Sequence, residues 1–166
     1  QAASRLARAL GQKEAFISAI GHAAQLHDLG KLAIPDSILL KPGRLSDEEM
    51  QAMRQHVALG AEILAGSDCP ILSMAEQIAR YHHERWDGTG YLEGLEGLQI
   101  PLCARILSVV DVFDALTSER PYKRAWSYAE ALDEIHRGRG TQFDPELVDE
   151  FLRVAEDIYQ IQPLNV

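Results

Sequence analysis

Six side chains in this sequence have the types and spacing to hold metal ions together: His27, Asp28, His56, His82, His83 and Asp111. Adjacent imidazoles such as His82-His83 are costly to bury as plain core, because each ring carries a donor and an acceptor that need partners. Asp111 breaks the apolar run Ile106-Leu107-Ser108-Val109-Val110-Asp111-Val112-Phe113, where a carboxylate needs a partner or a metal. Nitrogen and carboxylate ligands without thiolate suit iron, manganese, zinc or similar ions. A carboxylate such as Asp28 can bridge two ions. Two bridged ions can activate a water and clamp an in-line phosphoryl displacement. Each residue alone has another reading. His27-Asp28 fits a capping or salt-bridged pair, His56 a satisfied core or surface residue, and Asp111 a carboxylate bonded to a neighbouring helix terminus. Taken jointly they point to a metal-dependent hydrolase.

Cations and aromatics stand beside this set. Lys31 follows Gly30 just past the His-Asp pair. It reads either as a solvated cation near a helix C-terminus or as an ammonium that stabilises a phosphate or leaving group. Arg120, Lys123 and Arg124 form a basic cluster that could recognise phosphate oxygens or simply be exposed. Trp86, Tyr91 and Tyr122 could stack on bases or anchor their loops. His22 and His136 fit no pattern and read as structural or exposed.

The elements that must position these residues read as helices throughout. Residues 2–10 show helical spacing ended by Gly11, and residues 13–29 carry a wide apolar face with Gly30 as the stop. Residues 35–45 read as an ordered loop with about one helical turn. Ser46 and Glu49 form a capping box that launches a helix to about residue 65. Pro70 sits at the first turn of the next helix, which extends to about Glu84. Residues 85–100 contain Gly88, Gly90, Gly94 and Gly97. A loop of this length inside a domain is functional or disordered. Pro101 opens a buried helix through Ala115, Ser127 and Glu130 cap another to about Arg137, and Asp144-Pro145 opens the last. No strand pattern or repeat stands out. The expected fold is all-α, a bundle of about six or seven helices.

At 166 residues, with 46% hydrophobic and 25% charged content, the chain suits one globular domain spanning 1–166. It starts Gln1-Ala2-Ala3 without Met, so a fragment of a longer multidomain protein is expected. A net charge of −9 argues against a broad surface for a nucleic-acid polymer or an anionic membrane. No apolar run reaches spanning length, so no membrane contact is expected from this domain. The two cysteines, Cys69 and Cys103, lack CxxC spacing, which favours free thiols and a cytoplasmic setting.

The segment His27-Asp28-Leu29-Gly30-Lys31-Leu32-Ala33-Ile34-Pro35-Asp36 resembles the HD-GYP motif HDxGKxxIPD. The segment His82-His83-Glu84-Arg85-Trp86-Asp87-Gly88-Thr89-Gly90-Tyr91 resembles the loop HHExxDGxGYP. Ile100 through Ser118, Arg120-Pro121-Tyr122-Lys123 and Phe143-Asp144-Pro145 follow the same family in order. The resemblance implies an HD-superfamily bundle and a phosphodiesterase that hydrolyses cyclic di-GMP to pGpG or GMP in bacterial second-messenger signalling. It implies two divalent ions, iron or manganese, held by His27, Asp28, His56, His82, His83 and Asp111, with Asp28 bridging. It places Lys31 near the scissile phosphate, Arg120 and Lys123 on phosphates, and Tyr91 in a loop linked to substrate and to GGDEF-domain partners.

Two departures accompany the resemblance. Leu92 stands where the family has proline, which frees φ, restores a backbone donor and predicts a more mobile loop. A further family ligand registers upstream of Gln1, so one metal is expected to lack a protein ligand here. These departures motivate the alternative of a catalytically weak or inactive module that binds cyclic di-GMP or a GGDEF-domain partner, with an N-terminal regulatory domain in the parent. A third alternative is an HD phosphohydrolase acting on another nucleotide.

Overall fold

Helix α7 (Leu102–Thr117) is apolar on nearly every face and forms the axis of the bundle. Cys103, Ile106, Val109 and Phe113 are buried along it. Phe113 meets Phe151 edge-on at 5.1 Å between ring centroids, and Tyr128 and Tyr159 close around the same ring. The computed structural model describes residues 1–119 and 124–161. Around α7 stand α1 (Ala2–Ala9), α2 (Glu14–Ala23), α6 (Pro70–Tyr81), α8 (Tyr128–Arg137) and α9 (Pro145–Gln160). The shorter α3 (Asp36–Leu39), α4 (Asp47–Arg54) and α5 (His56–Leu64) complete the order. Among the described residues there are nine α-helices, three 3₁₀ turns and no strand, only an isolated bridge between Arg139 and Phe143. No helix among them is long and apolar enough to cross a membrane, and both cysteines are free.

The helix starts follow the caps written in the sequence. Ser46 and Ser127 form capping boxes with Glu49 and Glu130. Asp144 accepts the Glu146 N–H at 2.9 Å and also receives Arg105 at 2.5 Å, a nearly buried ion pair that fastens α9 to α7.

The nine α-helices exceed the expected six or seven because the pattern over 46–65 divides in two and the helical turn expected within 35–45 stands as α3. Residues 13–29 form α2, then a 3₁₀ turn at Ala24–Leu26 and another at Leu29–Ala33. A 3₁₀ turn repeats at i, i+3, so its apolar spacing is hard to tell from that of an α-helix. Residues 46–65 break at Gln55 into α4 and α5 with no glycine or proline to mark the break. The helix from Pro70 stops at Tyr81, before the histidine doublet.

The long loop after it is ordered by the backbone. The Trp86 and Asp87 N–H groups donate to the Gln142 and Thr141 carbonyls at 3.2 and 2.9 Å, and the Gly97 N–H donates to the Trp86 carbonyl at 2.9 Å.

Gly30 does more than stop a helix. A Cβ built on it would lie 1.9 Å from the His56 carbonyl oxygen and 2.5 Å from the Gly60 nitrogen. The 3₁₀ turn carrying Asp28 therefore rests backbone to backbone on α5, and this contact sets the distance from Asp28 to His56. Gly30→Ala should force the two backbones apart and destabilise the fold by about 2–3 kcal/mol. Urea unfolding will read this, and a midpoint equal to that of the parent chain would remove the contact from its structural role.

Candidate metal centre

Three histidines sit where a helix or 3₁₀ turn ends, and each turns one ring nitrogen back onto it. His27 Nδ1 lies 2.7 Å from the Ala24 carbonyl, His56 Nδ1 2.7 Å from that of Met53, and His82 Nδ1 3.0 and 3.1 Å from those of Ile78 and Ala79. A carbonyl only accepts, so each Nδ1 carries a proton. In the neutral rings the lone pair is then on Nε2. Helix C-terminal carbonyls thus fix the tautomers, as the outer contacts of metal-ligating histidines commonly do.

All three Nε2 atoms face Asp28. They lie 3.3 Å from Oδ2 for His27, 3.5 Å from Oδ1 for His56 and 4.0 Å from Oδ1 for His82. His27 Nε2 is also 3.5 Å from Asp111 Oδ1. Asp28 has φ −99° and ψ 10°, in the bridge region where many active-site residues sit. His83 joins the cluster, its ring centroid 4.0 Å from that of His82 and 5.2 Å from that of His56. One ligand atom from each of His56, His82 and His83 falls within a 4.8 Å span, which is enough to hold a metal ion. The structure therefore brings together all six residues singled out as ligands.

The unpartnered atoms test whether a cation fits. His56 Nε2 and His82 Nε2 are buried with no hydrogen-bond partner among the described residues. Lone pairs aimed at carboxylate oxygens repel unless a proton or a cation stands between them. The electrostatics agree. Burial opposes charge on His27, but Asp111 and Asp28 outweigh it and raise its pKa to about 10. Burial dominates at the others, lowering His82 to about 3 and His83 to about 4, with His56 also lowered. Burial resists ionisation of Asp28 and Asp111, yet bonds from His27, and from Lys31 at Asp28, hold both below the usual carboxylate range. The donor set fits a divalent ion.

Lys31 Nζ lies 2.5 Å from Asp28 Oδ2, at the edge of the cluster. Tyr91 stacks on His83 with centroids 4.9 Å apart and planes 19° apart, so its ring is engaged within the protein. A cavity of about 290 Å³ opens over the site, lined by Arg54, His82, His83, Tyr91, Ser108 and Asp111 among others. Trp86 lies beside Arg105 as a loop anchor, and His22 and His136 are exposed. Arg120 and Lys123 lie outside the described residues.

Residues 1–147 match the HD domain family. The chain belongs to the HD domain family. The HD-GYP motifs read from the sequence mark its branch, and the metal-dependence of HD domain phosphohydrolases agrees with the histidine cluster. This HD domain is 50% identical to the cyclic di-GMP phosphodiesterase response regulator RpfG of Xanthomonas campestris, over 96% of this chain and 42% of that protein. It is 46% identical to a cyclic di-GMP phosphodiesterase of Thermotoga maritima, over 95% of this chain and 43% of that protein. The chain thus spans less than half the length of these relatives. The crystal structure of the cyclic GMP-AMP specific phosphodiesterase V-cGAP3 of V. cholerae has the same fold. It superposes with a TM-score of 0.66 at 21% identity, over 94% of this chain and 42% of that one.

Two contributors to the HD domain site escaped the sequence reading. Arg54 reaches the site only because the end of α4 abuts the glycine loop. In the sequence Glu84 stands only as a letter of the motif. It is 3% exposed, and its Oε1 accepts the N–H groups of Leu92, Glu93 and Gly94 at 3.2, 2.7 and 3.0 Å. The donor that proline would lack at position 92 is therefore used, and it ties the loop down rather than freeing it. Gly90 completes the fold-back, since a Cβ there would lie 2.5 Å from the Arg85 nitrogen.

Glu84→Ala should cost about 1.5–3 kcal/mol, the range of hydrogen bonds to a charged group. It should also speed amide exchange selectively at residues 92–94; uniform or unchanged exchange across the loop would argue against the anchor. A second expectation concerns protons. With a pKa near 10, His27 is charged at pH 7 in the metal-free chain, whereas His82 and His83 are already neutral. Metal uptake at pH 7 should therefore release about one proton, and affinity should tighten as pH rises toward 10. Calorimetry in buffers of different ionisation enthalpy will count it, and release of none would contradict the assignment of His27.

Proposed function

We propose that this HD domain is the phosphodiesterase unit of a longer bacterial signalling protein and hydrolyses cyclic di-GMP. The observation that carries the reading is the convergence of three histidine Nε2 atoms on the Asp28 carboxylate, with Asp111 against His27, beside an open cavity. The names of the relatives supply the substrate class. His27, Asp28, His56, His82, His83 and Asp111 are the side chains that would hold two divalent ions, iron or manganese. Bound ions supply the positive charge that eases phosphoryl displacement and acidifies water near neutral pH.

The chain's own residues do the rest. Helix-end carbonyls hold the His27, His56 and His82 rings in one tautomer, so no reorientation is needed when the nucleotide arrives. Lys31 presents its ammonium at the rim of the cluster, where it can stabilise charge on the phosphoryl oxygens or the leaving group. Glu84 and Gly90 hold the loop that sets Tyr91 against His83. Arg120 and Lys123 are proposed to engage phosphate oxygens. In the parent protein we place a regulatory domain and a further metal ligand N-terminal to Gln1, a cytoplasmic setting, and contact with GGDEF-domain proteins.

Turnover of cyclic di-GMP by the metal-loaded full-length protein tests the proposal. His82→Ala should lower bound metal and cut turnover by more than about a hundredfold, beyond the loss typical of an outer-contact substitution. A metal-loaded protein that binds cyclic di-GMP without cleaving it would instead make this a sensing module. Cleavage of 3'3'-cGAMP alone would move the substrate class.

A further inference from the structure

The cavity wall carries a cation that the motifs do not account for. The guanidinium carbon of Arg54 lies 4.8 Å from the centroid of the Tyr91 ring. Arg54 is exposed at the end of α4 and lines the cavity together with His82, His83 and Asp111. Its neighbours of like charge each have a carboxylate partner. Lys31 is held by Asp28 at 2.5 Å, and Arg85 is bound to Asp87 at 3.2 Å and to Thr89 at 2.9 Å. Among the described residues the Arg54 side chain enters no ion pair or hydrogen bond.

A guanidinium resting on an aromatic face keeps its N–H edges in plane and available. Those edges match two oxygens of one phosphate. Tyr91 is in turn fixed by stacking on His83, so the fork is held beside the histidine cluster.

We propose that Arg54 is a substrate-binding residue that docks a phosphate of the cyclic dinucleotide at the mouth of the cavity, with Tyr91 as its platform. This rests on the phosphodiesterase reading given above. Recognition of a phosphate makes Arg54 indifferent to the base, so it contributes equally to cyclic di-GMP, 3'3'-cGAMP and cyclic di-AMP.

Initial-rate kinetics on the manganese-loaded full-length protein test this, with bound metal measured for every variant. Arg54→Gln should raise KM about tenfold for each nucleotide that the parent cleaves, as loss of a charge-assisted hydrogen bond predicts. It should leave kcat within about twofold and metal content unchanged. Arg54→Lys should recover part of the loss. Tyr91→Leu should raise KM, and the double variant should be little worse than Arg54→Gln alone, because platform and cation act as a unit. An unchanged KM overturns the proposal. So does a fall in kcat or bound metal at constant KM, which would make Arg54 a support of the metal cluster. A loss confined to guanine-containing nucleotides overturns it in favour of base recognition. If the parent cleaves none of the three nucleotides, the phosphodiesterase reading fails and this inference falls with it. If the parent cleaves them and KM does not move, only the role of Arg54 is lost.

Discussion

Everything at the site depends on hydrogen bonds between histidine Nδ1 atoms and the carbonyls at the ends of helical segments. A helix leaves its last carbonyls without intrahelical donors. In this chain, ring N–H groups use carbonyls from those final turns, at Ala24, Met53, Ile78 and Ala79. The Ala24 and Ile78 carbonyls also accept the backbone N–H groups of His27 and His82, so the ring bond adds to the helix end and fixes which ring nitrogen faces inward. The cost is that lone pairs and carboxylates crowd around Asp28. That cost is offset by a proton on His27, and a divalent ion bound by the same groups would offset it in the same way.

The bundle sets the separations. His27 and Asp28 follow α2, His56 opens α5, His82 and His83 follow α6, and Asp111 lies on α7. No local segment contains a complete site, so its geometry follows from helix packing. The Gly30 contact with His56 and Gly60 leaves no room for a Cβ. Side chains there would separate the turn from α5 before any ligand was changed.

Much of this was legible in the sequence, for identifiable reasons. The doublets His27-Asp28 and His82-His83 and the lone Asp111 announce themselves because such residues are expensive in apolar surroundings. Capping boxes at Ser46 and Ser127 and the Asp144-Pro145 start are local chemistry, and they appear where expected. The division at Gln55 was not legible, because no breaker residue marks it. The 3₁₀ turns after Ala23 were hidden by a spacing they share with α-helix. Arg54 was invisible because its importance comes from a ring 37 positions later in the chain. Glu84 was hidden differently. Its neighbours in the histidine doublet drew attention to metal, while its own work is to hold backbone.

That last feature bears on how the loop can change over evolutionary time. Glu84 reads N–H groups at 92, 93 and 94, and every amino acid except proline offers the same group. The anchor is therefore blind to side-chain identity at 92 and 93, whereas the positive φ of Gly94, 70°, favours glycine at the third position. Leu92 and Glu93 are exposed and can be exchanged for residues of other size or charge while the loop keeps its path past Tyr91. Proline at 92 would forfeit one donor of three and leave the other two. The rim of the cavity is in this respect a variable surface on a constant frame, open to drift in what it contacts without disturbing what lies beneath it.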